Sequence, residues 1–129
     1  MTTEMMADFE FALRAREQEL AAALNGRDRI AVESAPDEIE QLGIAEQRDL
    51  AVAQLNETSR LLREVRAALA RCRAGAYGEC EECGEEIPIK RLQAVPWAAC
   101  CVRCQQRREA ERDTADARRN LASMFLIAA

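Results

Sequence analysis

Two Cys-x-x-Cys pairs, Cys80-Glu81-Glu82-Cys83 and Cys101-Val102-Arg103-Cys104, are the residues of this chain best placed to do chemistry, and that chemistry is metal binding. Two sulfurs three residues apart on a tight turn can occupy adjacent corners of a tetrahedron. A second such turn, returned by the seventeen residues from Gly84 to Cys100, would complete the four-thiolate shell that zinc takes in closed structural sites. Gly84 follows the first pair directly, where a knuckle turn needs a residue that tolerates positive φ. The chain has no histidine, so histidine-containing zinc sites are excluded. Four sulfurs leave no open position for water, and the expected metal is one structural Zn2+ rather than a Lewis acid.

Disulfide pairing is the competing use of these cysteines. The opening Met-Thr-Thr-Glu-Met-Met-Ala-Asp has neither the basic start nor the apolar centre of a signal peptide. The expected location is therefore the cytoplasm, where thiols stay reduced. A redox dithiol would need only one such pair. Cys72 and Cys100 stand outside the quartet and are expected as free thiols, Cys72 as a small residue in a helix seam.

The composition points away from a thick core. Aromatic residues are 4% of 129 residues and charged residues 32%, the profile of long exposed helices. A net charge of −5 disfavours general attraction to nucleic acid, which requires surplus Lys and Arg at phosphates. No histidine, phosphate-cradling glycine loop or open metal position is available for catalysis, so no enzymatic activity is expected.

The elements that must hold the cysteines are helical. From Thr3 to about Ile30 apolar residues recur at Met6, Phe9, Leu13, Leu20, Ala23 and Ile30. A second seam, from about Asp37 to Arg73, uses Ile44, Ala51, Leu55, Thr58, Leu62, Val65, Leu69 and Cys72. Its alternating three- and four-residue steps from Leu55 onward match a coiled coil. Polar residues interrupt both seams toward the break at Val32 to Asp37, so packing is expected to loosen there. Pro36 biases Ala35 away from helix and suits the first turn of a new one. The expected fold is mainly α: a long antiparallel coiled-coil hairpin over residues 1–74 with its tip near 31–41, then a small four-cysteine zinc finger and a final helix over 75–129. Ile87, Ile89, Leu92, Val95 and Trp97 are expected to form the finger's small core. Ala110, Ala117 and Leu121 are available to pack the last helix on the hairpin base. Glu33, Asp37, Glu38 and Glu40 make the hairpin's end acidic.

The stretch Tyr77-Gly78-Glu79-Cys80-Glu81-Glu82-Cys83-Gly84-Glu85-Glu86-Ile87, with Arg91-Leu92-Gln93-Ala94-Val95-Pro96 and Cys101-Val102-Arg103-Cys104-Gln105, resembles the DksA/TraR zinc-finger family of bacterial transcription regulators. The resemblance implies a finger and helix at the base of a long coiled coil. It implies binding to RNA polymerase, with the coiled-coil tip inserted through the secondary channel to alter promoter-complex stability. The family's tip pattern, Asp-x-x-Asp-x-Ala, falls on Asp37-Glu38-Ile39-Glu40-Gln41-Leu42, making Asp37 and Glu40 the implied contacts with the active centre. It also implies a link to the stringent response through ppGpp. Glu64, Val95 and Gln105 stand where the family's alarmone site is basic, so a weak ppGpp response is expected, with Arg60, Arg63 and Arg66 nearby. A Gre-like transcript-cleavage factor and a zinc-ribbon adaptor or DNA-binding module are the alternative classes.

Overall fold

The computed structural model describes residues 1–27 and 38–128, with side chains for 1–26 and 43–124. Four helices follow in order: α1 (Thr3–Arg27), α2 (Glu38–Ala74), α3 (Ile89–Ala94) and α4 (Val102–Ala128). Among the described residues there are no strands, only an isolated antiparallel bridge between Glu79 and Glu86. No described helix is long and apolar enough to cross a membrane.

Thr2 starts α1. Its hydroxyl oxygen accepts from the Met5 amide at 3.2 Å and its carbonyl from Met6 at 3.0 Å, satisfying donors that open a helix. The helix continues without interruption through Asn25-Gly26 to Arg27. The break expected at Val32 to Asp37 lies outside the described residues. Helix α2 runs for 37 residues, about 55 Å at 1.5 Å per residue.

The two long helices pack against each other as a hairpin. Phe9, Leu13 and Leu20 of α1 meet Leu62, Val65, Ala68 and Leu69 of α2, all buried. Glu17 and Arg66 join the arms at 3.5 Å across the seam. Burial fades away from the base: Leu55 and Ile44 are only partly covered, and Ala51 and Ala23, expected in the seams, are exposed. Alanine at a seam position contributes too little apolar area to draw the helices together, and the interrupting polar residues do not compensate.

Helix α2 ends in a Schellman motif. Gly75, at φ +73°, donates to the Cys72 carbonyl at 3.3 Å, and Ala76 reaches back to that of Arg71 at 2.9 Å. This left-handed stop turns the chain off the helix axis and into the finger. There Tyr77, Ile87, Leu92 and Ala98 bury themselves in the same hydrophobic cluster as Phe9, Leu13 and Leu69. The Phe9 and Tyr77 rings meet at a 5.7 Å centroid separation, tilted by 47°. The finger is thus fused to the hairpin base through one continuous core.

Two further expectations differ from the structure. Ile89, assigned to the finger core, sits at the exposed rim. It begins α3 directly after Pro88, one turn short of the buried Leu92. Helix α4 makes no extended packing with α1 or α2. Ala110 and Ala117 are exposed, and Leu121 is 56% exposed. The second cysteine pair fixes the start of α4, and the finger lies between that start and the seam.

Candidate metal centre

The finger brings two chain reversals face to face. In the first, the Gly84 amide donates to the Cys80 carbonyl at 3.0 Å, and Cys80 itself donates to Glu85 at 2.8 Å. Gly84 holds φ +73°, a left-handed conformation that a side chain would strain. In the second, the Gln105 amide donates to the Cys101 carbonyl at 3.0 Å as α4 begins. The Glu81 amide donates to the Ala99 carbonyl at 3.0 Å and ties the two reversals together.

The Sγ atoms of Cys80, Cys83, Cys101 and Cys104 all lie within 4.8 Å of one another. Cys83 and Cys101 sulfurs are 3.9 Å apart. A tetrahedron with Zn–S bonds of about 2.3 Å has edges of about 3.8 Å, so the spacing fits zinc with little adjustment. The donor set fits as well, since four soft thiolates form a closed site that supplies folding energy rather than catalysis. The chain carries one structural zinc site, and these sulfurs are the set that the fold gathers for it.

Electrostatics favour a divalent cation here. The Cys83 backbone amide, followed by those of Cys101 and Glu82, points at the Cys80 sulfur and holds its pKa down to about 5. Cys104 is driven the other way, to about 12, chiefly by its hydrogen bond with Cys101 and then by burial. Neighbouring sulfurs cannot all ionise together unless a positive charge sits among them. A bound Zn2+ supplies that charge.

A ring of arginines locks the finger in place. The Arg71 guanidinium, 12% exposed, lies 3.5 Å from Glu81 and donates to the backbone carbonyls of Trp97 at 3.2 Å and Ala98 at 3.4 Å. Arg91 donates to the Cys100 carbonyl at 3.0 Å. Glu82, between the first two cysteines, accepts from Arg107 at 2.8 Å and Arg108 at 2.6 Å. Those contacts hold its carboxyl below the usual range, with Arg107 the larger influence. The Tyr77 hydroxyl donates to the Pro96 carbonyl at 2.9 Å; burial, then the Cys72 sulfur, pushes that phenol up to about 12. None of these partnerships was legible as a motif. Only the opposite charges of Glu82 and Arg107-Arg108 around the two cysteine pairs hinted at one.

Arg71→Met keeps most of the side-chain volume but leaves two carbonyls without their donor. The expected cost is about 2 kcal/mol, read as a lower urea midpoint with the urea slope and zinc content unchanged. Loss of zinc together with stability would mean that Arg71 supports the metal rather than the joint between finger and hairpin.

The remaining sequence-predicted residues are scattered. Asp37 lies outside the described residues, and Glu40 lies in the first turn of α2. Glu64 is bound to Arg60 at 2.6 Å, and Arg60 is also held by Glu57. Val95 is half-buried against the finger core, and Gln105 donates to Glu109 at 3.1 Å. Cys72 is half-buried at the hairpin base and Cys100 fully buried beside the sulfur cluster; burial raises both thiols.

Comparison with known proteins adds three findings. Residues 75–110 match the family described as the prokaryotic dksA/traR C4-type zinc finger. The solved structure of transcription factor DksA2 from Pseudomonas aeruginosa superposes with a TM-score of 0.74 at 30% identity, covering 88% of this chain and 89% of that one. Among curated sequences, the RNA polymerase-binding transcription factor DksA of Haemophilus influenzae is 31% identical over 70 residues, 54% of this chain and 48% of that protein. General stress protein 16O of Bacillus subtilis is 51% identical over 45 residues, 35% of this chain and 28% of that protein. The matched stretch spans less than half the length of either curated relative.

Proposed function

The chain belongs to the DksA/TraR zinc-finger family, and from that premise we propose that it is a cytoplasmic transcription regulator that binds RNA polymerase. Zinc held by Cys80, Cys83, Cys101 and Cys104 keeps the finger folded against the hairpin base, and this joined surface docks on the enzyme. The hairpin then carries Asp37 and Glu40 through the secondary channel toward the active centre, where they alter promoter-complex stability. The observation that supports the reading most strongly is the fold likeness to DksA2 along 88% of this chain. The chemistry supports it too. A closed sulfur site offers no catalytic position, and an acidic chain is a poor general binder of DNA, so protein is the better partner.

The same reading assigns ppGpp a minor part. A polyanion needs free cations, whereas Arg60 is already shared between Glu57 and Glu64. Val95 and Gln105 bring no charge. Glu64 stands where a cation would be needed and ties up the neighbouring Arg60.

The test separates docking from action. Asp37→Asn removes a charge at nearly constant size. Polymerase binding is expected to persist, while the effect on promoter-complex lifetime falls about tenfold, as for one lost charge-assisted hydrogen bond. Loss of binding would make the tip an anchor and refute this division of roles. Accelerated transcript cleavage in backtracked complexes would instead place the chain with the Gre-type factors.

A further inference from the structure

Helix α4 carries a second apolar seam that its own chain leaves uncovered. Ala110, Thr114, Ala117, Leu121 and Met124 follow steps of four, three, four and three residues, the spacing of a coiled-coil stripe. All five are exposed, with Leu121 at 56% and Met124 at 68%. The small side chains at its centre leave a shallow hollow lined by Arg107, Ala110, Glu111, Thr114, Ala115 and Arg118. This surface is separate from the finger-and-hairpin core.

We propose that this face of α4 pairs with the same face of a second copy of the chain, antiparallel and about a two-fold axis near Ala115. The charges that flank the seam select that occupant. Glu111 and Arg118 lie on the same edge of the stripe, seven residues apart. Among the described residues neither has an ion-pair partner within its own chain. In the antiparallel alignment Glu111 meets the partner's Arg118, and the two-fold axis repeats that pair at the other end. On the opposite edge Asp113 meets the partner's Asn120, again twice. A parallel alignment would stack identical core residues, Leu121 on Leu121 and Thr114 on Thr114, and although Asp113 would then meet the partner's Arg118, Glu111 would meet only the uncharged Gln106.

The core layers fit the same alignment. Thr114 faces the partner's Ala117, so the centre is narrow enough for close approach. Ala110 faces the partner's Leu121, a small residue against a large one. The stem of Arg107 faces the partner's Met124, and apolar stems of arginine commonly cover such positions. The surface is self-complementary, as an isologous dimer requires.

The experiment is sedimentation equilibrium of the zinc-loaded full chain from micromolar to submillimolar concentration, with Glu111→Arg, Arg118→Glu and the double exchange. The wild type is expected to show a monomer–dimer equilibrium. Each single exchange turns two attractive pairs into two repulsive ones and is expected to weaken association about tenfold. The double exchange restores opposite charges and is expected to restore association. Glu and Arg are comparable helix formers, so circular dichroism and zinc content are expected to stay constant across the set. A wild type that remains monomeric throughout overturns the proposal. So do single exchanges with no effect, and a double exchange that stays as weak as the singles.

Discussion

Cys83→Ser is expected to strip the chain of its zinc and unfold the finger. A structural zinc contributes on the order of 10 kcal/mol of apparent folding free energy in small modules. A whole domain is typically stable by only about 5–15 kcal/mol. The remaining three sulfurs, gathered within 4.8 Å, would repel one another or bind protons. The shared core extends the damage to the hairpin base, because Phe9 loses Tyr77 as its partner. Amide exchange should therefore accelerate through the finger and the first turns of α1, while much of α2 keeps its helicity. Strong chelation of the wild type is expected to produce the same pattern. Acidification should release the metal as protons compete for the thiolates. Metal analysis of the Cys83→Ser protein showing full zinc occupancy would refute the assignment of that ligand.

Leu13→Ala is expected to produce the largest loss from a single apolar side chain in the hairpin. Leu13 is fully buried between the α2 seam and the finger side of the core, and truncation there leaves a cavity that rigid helices fill poorly. The expected cost is about 2–5 kcal/mol. Phe11 provides the control on the same helix: it is 77% exposed, and Phe11→Ala should change stability by no more than about 0.5 kcal/mol. Equilibrium urea unfolding of the two variants checks the contrast. Similar costs at both positions would show that the outer face of α1 is covered in solution, or that α1 packs with a different face inward.

The seam of Leu13, Leu62, Val65 and Leu69 was legible because large apolar residues at alternating three- and four-residue steps have only one way to hide together. The mainly helical fold with its finger followed from that seam and the cysteine spacing. Ala23 and Ala51 fit the same arithmetic, yet they are exposed because spacing says nothing about how much area an alanine contributes. Ala68 lies outside the written seam and is nevertheless buried, in the core that both long helices and the finger share. Such burial depends on how the faces of several elements meet, which spacing along one of them does not state. The contacts of Arg71 with Trp97 and Ala98 span 26 and 27 residues and end on backbone oxygens, which have no residue identity to read. The outward course of α4 was hidden for a related reason. Its alanines permit packing on the base, but the finger's geometry determines where the helix starts.

The fusion of finger and hairpin base makes α2 a lever with a fixed fulcrum. Its far end lies about 55 Å from that joint, so each degree of tilt at the base moves the end by roughly 1 Å. Substitutions around Tyr77, Arg71 or Leu92 could therefore misaim the far end while leaving its chemistry intact. On the proposed function, their signature would be a loss of action with little loss of affinity, which resembles a defect at the opposite end of the molecule. Angular tolerance at the joint, more than its strength alone, becomes the quantity on which selection can act.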